Sequence, residues 1–195
     1  MQALEHHERV EITSHAGNSD HGAGNNRRVA LLIMVLAALL AIVEVMGKSA
    51  QNDYLASHIE ASNLWSFFQA KTVRQTVLKT IAEDMETRPK QTVDIQGGID
   101  KKIEKFYATI DRYEDEPSTG EGRKQLVQRA RETEVRRDRA LAAYHYFEYA
   151  AAALQLAIVL ASAAVITGIG FLTWSSAGLG GVGVLLGVLP LVGGL

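Results

Sequence analysis

Cysteine is absent from the 195-residue chain. That excludes disulfides, thiolate catalysis and cysteine-based zinc or iron–sulfur sites. Proline is scarce: Pro89, Pro117 and Pro190 are the three, so long helices meet few obligatory breaks. Charge is missing from two stretches. No Asp, Glu, Lys or Arg occurs from Val29 to Val43, and none from Tyr149 to Leu195, a run of 47 residues. Elements of a water-soluble domain keep one face in solvent, so they rarely hold such runs. A helix that spans a bilayer needs about 20 apolar residues, and the C-terminal run is long enough for two. An excess of one sign of charge is also lacking. The net charge is −2, which offers no broad basic field for nucleic acid.

What is present divides the chain into five segments. Residues 1–28 are polar, hold His6, His7, His15 and His21, and show no apolar period. They read as a disordered tail, in which a metal site is imaginable but no ligand spacing is enforced. Arg27-Arg28 then precede an apolar stretch, 29–46, read as a first transmembrane helix. It is longer and starts later than the apolar core of a signal peptide. "GKS" at 47–49 imitates the end of a phosphate-binding loop, but that loop needs glycine five residues before the GK pair, where Ile42 stands. No nucleotide is expected there.

Residues 47–148 hold 17 basic and 17 acidic residues and read as a charged, coiled-coil-like helical region outside the membrane. A first helical piece over about 50–87 carries Leu55, Ile59, Leu64, Phe67 and Phe68. Val73, Val77, Ile81 and Met85 follow at steps of four, a helical spacing. Pro89 ends it, and "QTVDIQGG" reads as a short extended piece or turn. A second piece has Ile99, Ile103, Phe106, Ile110 and Tyr113 in the 4-3-4-3 steps of an a/d pattern. Ser118 with Glu121 forms a capping-box sequence, which predicts a third helix from about 119 into the membrane. Two long helices that both meet the bilayer at one end must run out and back. The expected fold is therefore all-α, with three transmembrane helices and a long antiparallel hairpin between the first and second.

The second span is expected over 149–174, entered by Tyr144, Tyr146, Phe147 and Tyr149 and left by Trp174, an aromatic belt. Ala153, Ala157 and Ala161 lie on a stripe of small residues that suits close helix packing, and a second copy of the chain is one candidate to pack there. "SSAG" is read as the turn before a Gly-rich last span, 177–195, with Gly183-x-x-x-Gly187 as a packing motif. Two strongly polar side chains fall inside the apolar runs, Glu44 and Gln155. Gln155 suits an interhelical hydrogen bond. Glu44 precedes Lys48 by four residues, a favourable ion-pair order, so an interfacial pair is expected there, with an ion or proton site as the alternative. Six cations near the spans (Lys48, Arg129, Arg131, Arg136, Arg137, Arg139) favour a cytoplasmic middle region. The tail contributes three, Arg9, Arg27 and Arg28, and the Arg27-Arg28 pair immediately before the first span argues for a periplasmic one.

"GKSAQN" after the first span, "ASNLW" at 61–65, "QAK" at 69–71 and "RQT" at 74–76 resemble a bacterial family catalogued as domain of unknown function 4337. The resemblance covers nearly the whole chain after the tail. It implies a bacterial membrane protein and carries over no catalytic residues; with three expected spans, the chain is read as a multi-pass protein of the inner membrane.

No Ser/His/Asp arrangement, carboxylate pair in a pocket or metal-ligand spacing is found, so neither an enzyme nor a cofactor is expected. A membrane-anchored structural or interaction protein fits better, with the lipid bilayer and a second copy or another membrane protein as partners. Trp65, Phe68 and Arg74 are the candidate contact residues, because aromatic and Arg side chains together suit protein contacts. A channel or transporter component using Glu44, Gln155 and the last span is the alternative.

Overall fold

A computed structural model describes residues 20–88 and 93–192. Its elements are α1 (Asp20–Thr87), α2 (Val93–Glu114), α3 (Arg123–Thr167) and α4 (Gly170–Val192), and all regular structure among the described residues is helical. The tail histidines lie outside the residues whose side chains are described.

Several boundaries differ from the sequence reading. Residues 20–28, read as tail, belong to α1, which continues unbroken to Thr87. α2 starts at Val93, so Gly97 and Gly98 are helical rather than part of a turn. α3 starts at Arg123, after Gly120 with φ +68°; the Ser118/Glu121 capping box is not used. A Cβ at Gly122 would collide with the Glu116 backbone nitrogen and the Gln125 side chain, so the loop closes too tightly there for a helix from 119. At the far end α3 stops at Thr167, because Gly168 takes φ +70°, a left-handed conformation that ends helices and suits glycine. "SSAG" is therefore inside α4, and Trp174 belongs to that helix.

The chain forms two compact units. Among the described residues, the first comprises those up to Gln51 together with those from Leu141 onward, and the second those between Asn52 and Ala140. In the first unit, Val29, Leu36, Val43 and Ala50 of α1 are buried at intervals of seven. Leu36, Val43 and Ala50 meet Phe147, Ala150, Leu154 and Ala157 of α3 in one core. From α4, Ser176, Gly180, Gly183 and Gly187 turn inward at steps of 4, 3 and 4. Those positions are small because the helices approach closely. A Cβ at Gly183 would stand 2.9 Å from Leu154 Cγ and 3.1 Å from the Ala150 carbonyl oxygen, and one at Gly187 would stand 3.3 Å from Val43 Cγ2. The Ser176 hydroxyl donates to the Ala157 carbonyl at 2.7 Å, which satisfies a buried polar group.

In the second unit, a buried and half-buried stripe of α1 runs through Tyr54, Ser57, Ala61, Leu64, Phe68, Lys71, Gln75, Leu78, Ala82 and Met85, with Trp65 and Thr72 half-buried beside it. The steps alternate between three and four without a fault, the spacing of a coiled-coil seam. Leu126, Ala130 and Thr133 of α3 are buried opposite. Contacts run in opposite senses: Thr72 meets Arg123, Trp65 meets Glu134 and Glu60 meets Arg136. The apolar residues singled out in sequence, Leu55, Ile59, Val73, Val77 and Ile81, are exposed instead.

Candidate functional site

A polar cluster stands where α1, α2 and the start of α3 meet in the second unit. Lys71 occupies a seam position where an apolar residue is the usual occupant, and it is 4% exposed. Its Nζ lies 3.6 Å from Glu116 Oε2 and 3.9 Å from Glu121 Oε2. The same nitrogen sits over the rings of Phe67 and Tyr113, at 5.3 and 5.4 Å. Arg123, the first residue of α3, is the hub beside it. Its Nε donates to Thr72 Oγ1 at 3.0 Å, and its Nη1 donates to Gln75 Oε1 at 2.5 Å and to Glu114 Oε2 at 2.6 Å. The guanidinium lies 5.1 Å from the Phe68 ring centre. Gln75 passes the network to α2 by donating to the Ile110 carbonyl and to Glu114.

The loop between α2 and α3 is tied into the same cluster. Gln125 Nε2 donates to Asp115 Oδ1 at 2.6 Å, Lys124 Nζ donates to Asp115 Oδ2 at 3.1 Å, and the Glu116 N–H donates to Gln125 Oε1. Hydrogen bonds from Gln125 and then Lys124 hold the Asp115 carboxyl below the usual carboxylate range. An open groove of about 580 Å³ runs alongside, with Gln75, Lys79, Tyr107 and Arg123 in its wall. The cluster neutralises its own charges: both buried-side cations face carboxylates of this chain. Such an arrangement pins three helices together in one geometry.

Trp65 and Phe68, read in sequence as contact residues, belong to this interior. They are half-buried, stack edge to face at 5.7 Å, and pack on Leu64, Leu126 and Ala130. The Trp65 indole N–H donates to Glu134 Oε1 at 3.0 Å. Arg74, the third of that set, is exposed and lies apart from them. Lys71 and Arg123 were not singled out in sequence. Lys71 falls at a 3-4 step between Phe68 and Gln75, and that periodicity is the signal that could have found it.

In the first unit, Ala153, Ala157 and Ala161 are buried against the chain's own helices. The face offered above to a second copy is therefore filled from within. Gly183 and Gly187 are buried likewise. Glu44 does not make the expected pair with Lys48 among the interactions described. Gln155 Nε2 donates to Glu44 Oε1 at 3.4 Å, a long hydrogen bond between two side chains at the surface of the unit. The cause is the close approach of α1 and α3 nearby, where a Cβ at Gly47 would stand 3.2 Å from Phe147 Cβ. Sequence reading brought neither polar residue to the other.

A family model described as domain of unknown function DUF4337 matches residues 25–193. The chain belongs to this family. No curated protein matches it, and no solved structure does. The DUF4337 stretches quoted above now have places. Gly47, Ala50, Ala61, Lys71 and Gln75 all lie on the buried or half-buried side of α1, so the stretches that carry the family resemblance supply its packing seam and its polar cluster.

Proposed function

We propose that this DUF4337 chain is an integral protein of the bacterial inner membrane that acts as a helical structural and interaction element, without a catalytic site. In this reading α1, α3 and α4 are anchored in the bilayer, and residues 52–140 form an antiparallel hairpin outside it. The balance of flanking cations favours a cytoplasmic hairpin.

One observation carries the membrane part. α1, α3 and α4 are long and apolar enough to cross a membrane, and the first unit is apolar outside as well as inside. Met34, Leu156, Ile166 and Leu185, each more than half exposed, point away from its core. A unit that is hydrophobic all round suits lipid as its solvent. Washing membranes with alkaline carbonate is expected to leave the protein in the pellet. Release into the supernatant would end the reading.

The Glu44–Gln155 hydrogen bond favours a second reading, a channel or transporter component, because an ionisable group within an apolar span marks a pathway by default. The structural reading predicts that Glu44→Gln changes nothing in proteoliposomes assayed with a pH-sensitive dye. A proton leak in the wild type that disappears in Glu44→Gln would put transport first.

A further inference from the structure

The outer surface of α1 in the second unit is unlike that of its neighbour. On α3 the surface positions include Lys124, Arg131, Glu132, Asp138 and Arg139. On α1, the positions directly opposite the seam between Asn52 and Thr80 are exposed and uncharged, and the exposed charges Asp53, Glu60, Arg74 and Lys79 flank the seam. That outward face instead carries Leu55, Ile59, Val73, Val77 and Ile81, which are 46, 59, 63, 51 and 40% exposed. Between the two apolar groups stand the small residues Ser62, Ser66 and Ala70. Together these positions advance in steps of 4, 3, 4, 4, 3, 4 and 4, a continuous helical stripe. At 1.5 Å per residue it is about 40 Å long. Three hydroxyls on this face are already satisfied: Ser66 donates to the Ser62 carbonyl, and Thr76 and Thr80 donate to the carbonyls four residues before them. Covering the face therefore does not strand those three hydroxyls.

We propose that this stripe pairs with the same stripe of a second copy of the chain, parallel and in register. The inference rests on the membrane anchoring proposed above. Two copies inserted in the same sense have parallel α1 helices, and a two-fold axis between them sets each residue against its own equivalent. Any charge on such a face would meet its like. A face free of both signs over this length is what that symmetry demands. A partner of different sequence imposes no such condition, and complementary charge across the contact is then the common device. A membrane surface calls for a Lys/Arg border on the polar side of the apolar strip, whereas the flanks here carry both signs, Asp53 and Glu60 as well as Arg74 and Lys79.

The absence of cysteine makes the test clean. Ser62→Cys and Ser66→Cys are near-isosteric changes on an exposed helix face. Oxidised in native membranes, each is expected to give a disulfide-linked homodimer, because residues on a two-fold contact come within the roughly 7 Å Cα separation that a disulfide tolerates. Arg131→Cys on α3 is the control and stays monomeric. Adding Ile59→Glu to Ser66→Cys is expected to cut the dimer at least about tenfold, since two like charges would then be buried face to face. Equal yields at Ser66→Cys and Arg131→Cys, a product of another mass, or no product from chain held in the carbonate pellet would each overturn the pairing. A homodimer from chain that carbonate releases would keep the pairing and remove the anchor.

Discussion

Gly183→Leu is expected to lower the unfolding temperature of the detergent-solubilised protein by roughly 4–8 °C, the shift that overpacking by about 2 kcal/mol gives a chain of this size. A side chain there has nowhere to go. Its Cβ would already stand 2.9 Å from Leu154 Cγ, and the Ala150 carbonyl oxygen at 3.1 Å belongs to the backbone of α3 and cannot swing aside. Gly181→Leu, two residues earlier on α4, has nothing within 4 Å of its Cβ. Both changes replace glycine inside a helix, which on propensity alone should stabilise by up to about 1 kcal/mol. The two variants should therefore move in opposite directions. Thermal unfolding followed by circular dichroism reads the difference, and parallel shifts would mean that α4 does not pack through Gly183.

Arg123→Ala is expected to loosen the α2–α3 loop, whereas Lys71→Met leaves it nearly unchanged. Arg123 bonds at once to Thr72, Gln75 and Glu114. Its side chain is 24% exposed, so solvent screens part of the gain. A loss of about 2 kcal/mol, at the low end for charged hydrogen bonds, is a fair expectation. Lys71 is more deeply buried, yet its removal matters less. Glu121 is half exposed, and Glu116 keeps Arg112 within 3.9 Å, so neither carboxylate is stranded. Removing one member of a buried ion pair is costly because it strands the other charge, and here neither carboxylate is left stranded. Hydrogen exchange at the amides of residues 115–122 separates the cases. About 30-fold faster exchange is expected for Arg123→Ala, equivalent to those 2 kcal/mol. Equal acceleration in both variants would show that burial, and not the hub at Arg123, holds the loop.

The two seams of α1 explain which parts of the fold could be read from sequence. The a/d pattern of α2 was legible because its residues are Ile, Phe and Tyr, which lie half-buried as expected. The seam of α1 was not, because Ser57, Ala61, Lys71, Gln75 and Ala82 carry little hydrophobic signal. Helices that approach closely select small side chains, and size does not register as hydropathy. The same blindness made Leu55, Ile59, Val73, Val77 and Ile81 look like core. Boundaries failed for a related reason. Gly168 and Gly178 of "SSAG" have equal intrinsic freedom, and only backbone placement shows that Gly168 uses it. The polar cluster was hidden because its members come from residues 71–75 and 114–125, which nothing in the linear pattern brings together.

The Gly168 turn bears on how the chain is made. Only Gly168 and Ile169 separate α3 from α4, and neither carries a charged side chain. For a chain inserted as proposed, no hydrophilic segment has to be carried through the bilayer at that end. α3 and α4 can then enter the insertion machinery as a paired unit, each hiding the other's backbone as it arrives. The topology of the finished protein is left to be decided at α1, by the charges on either side of its apolar stretch.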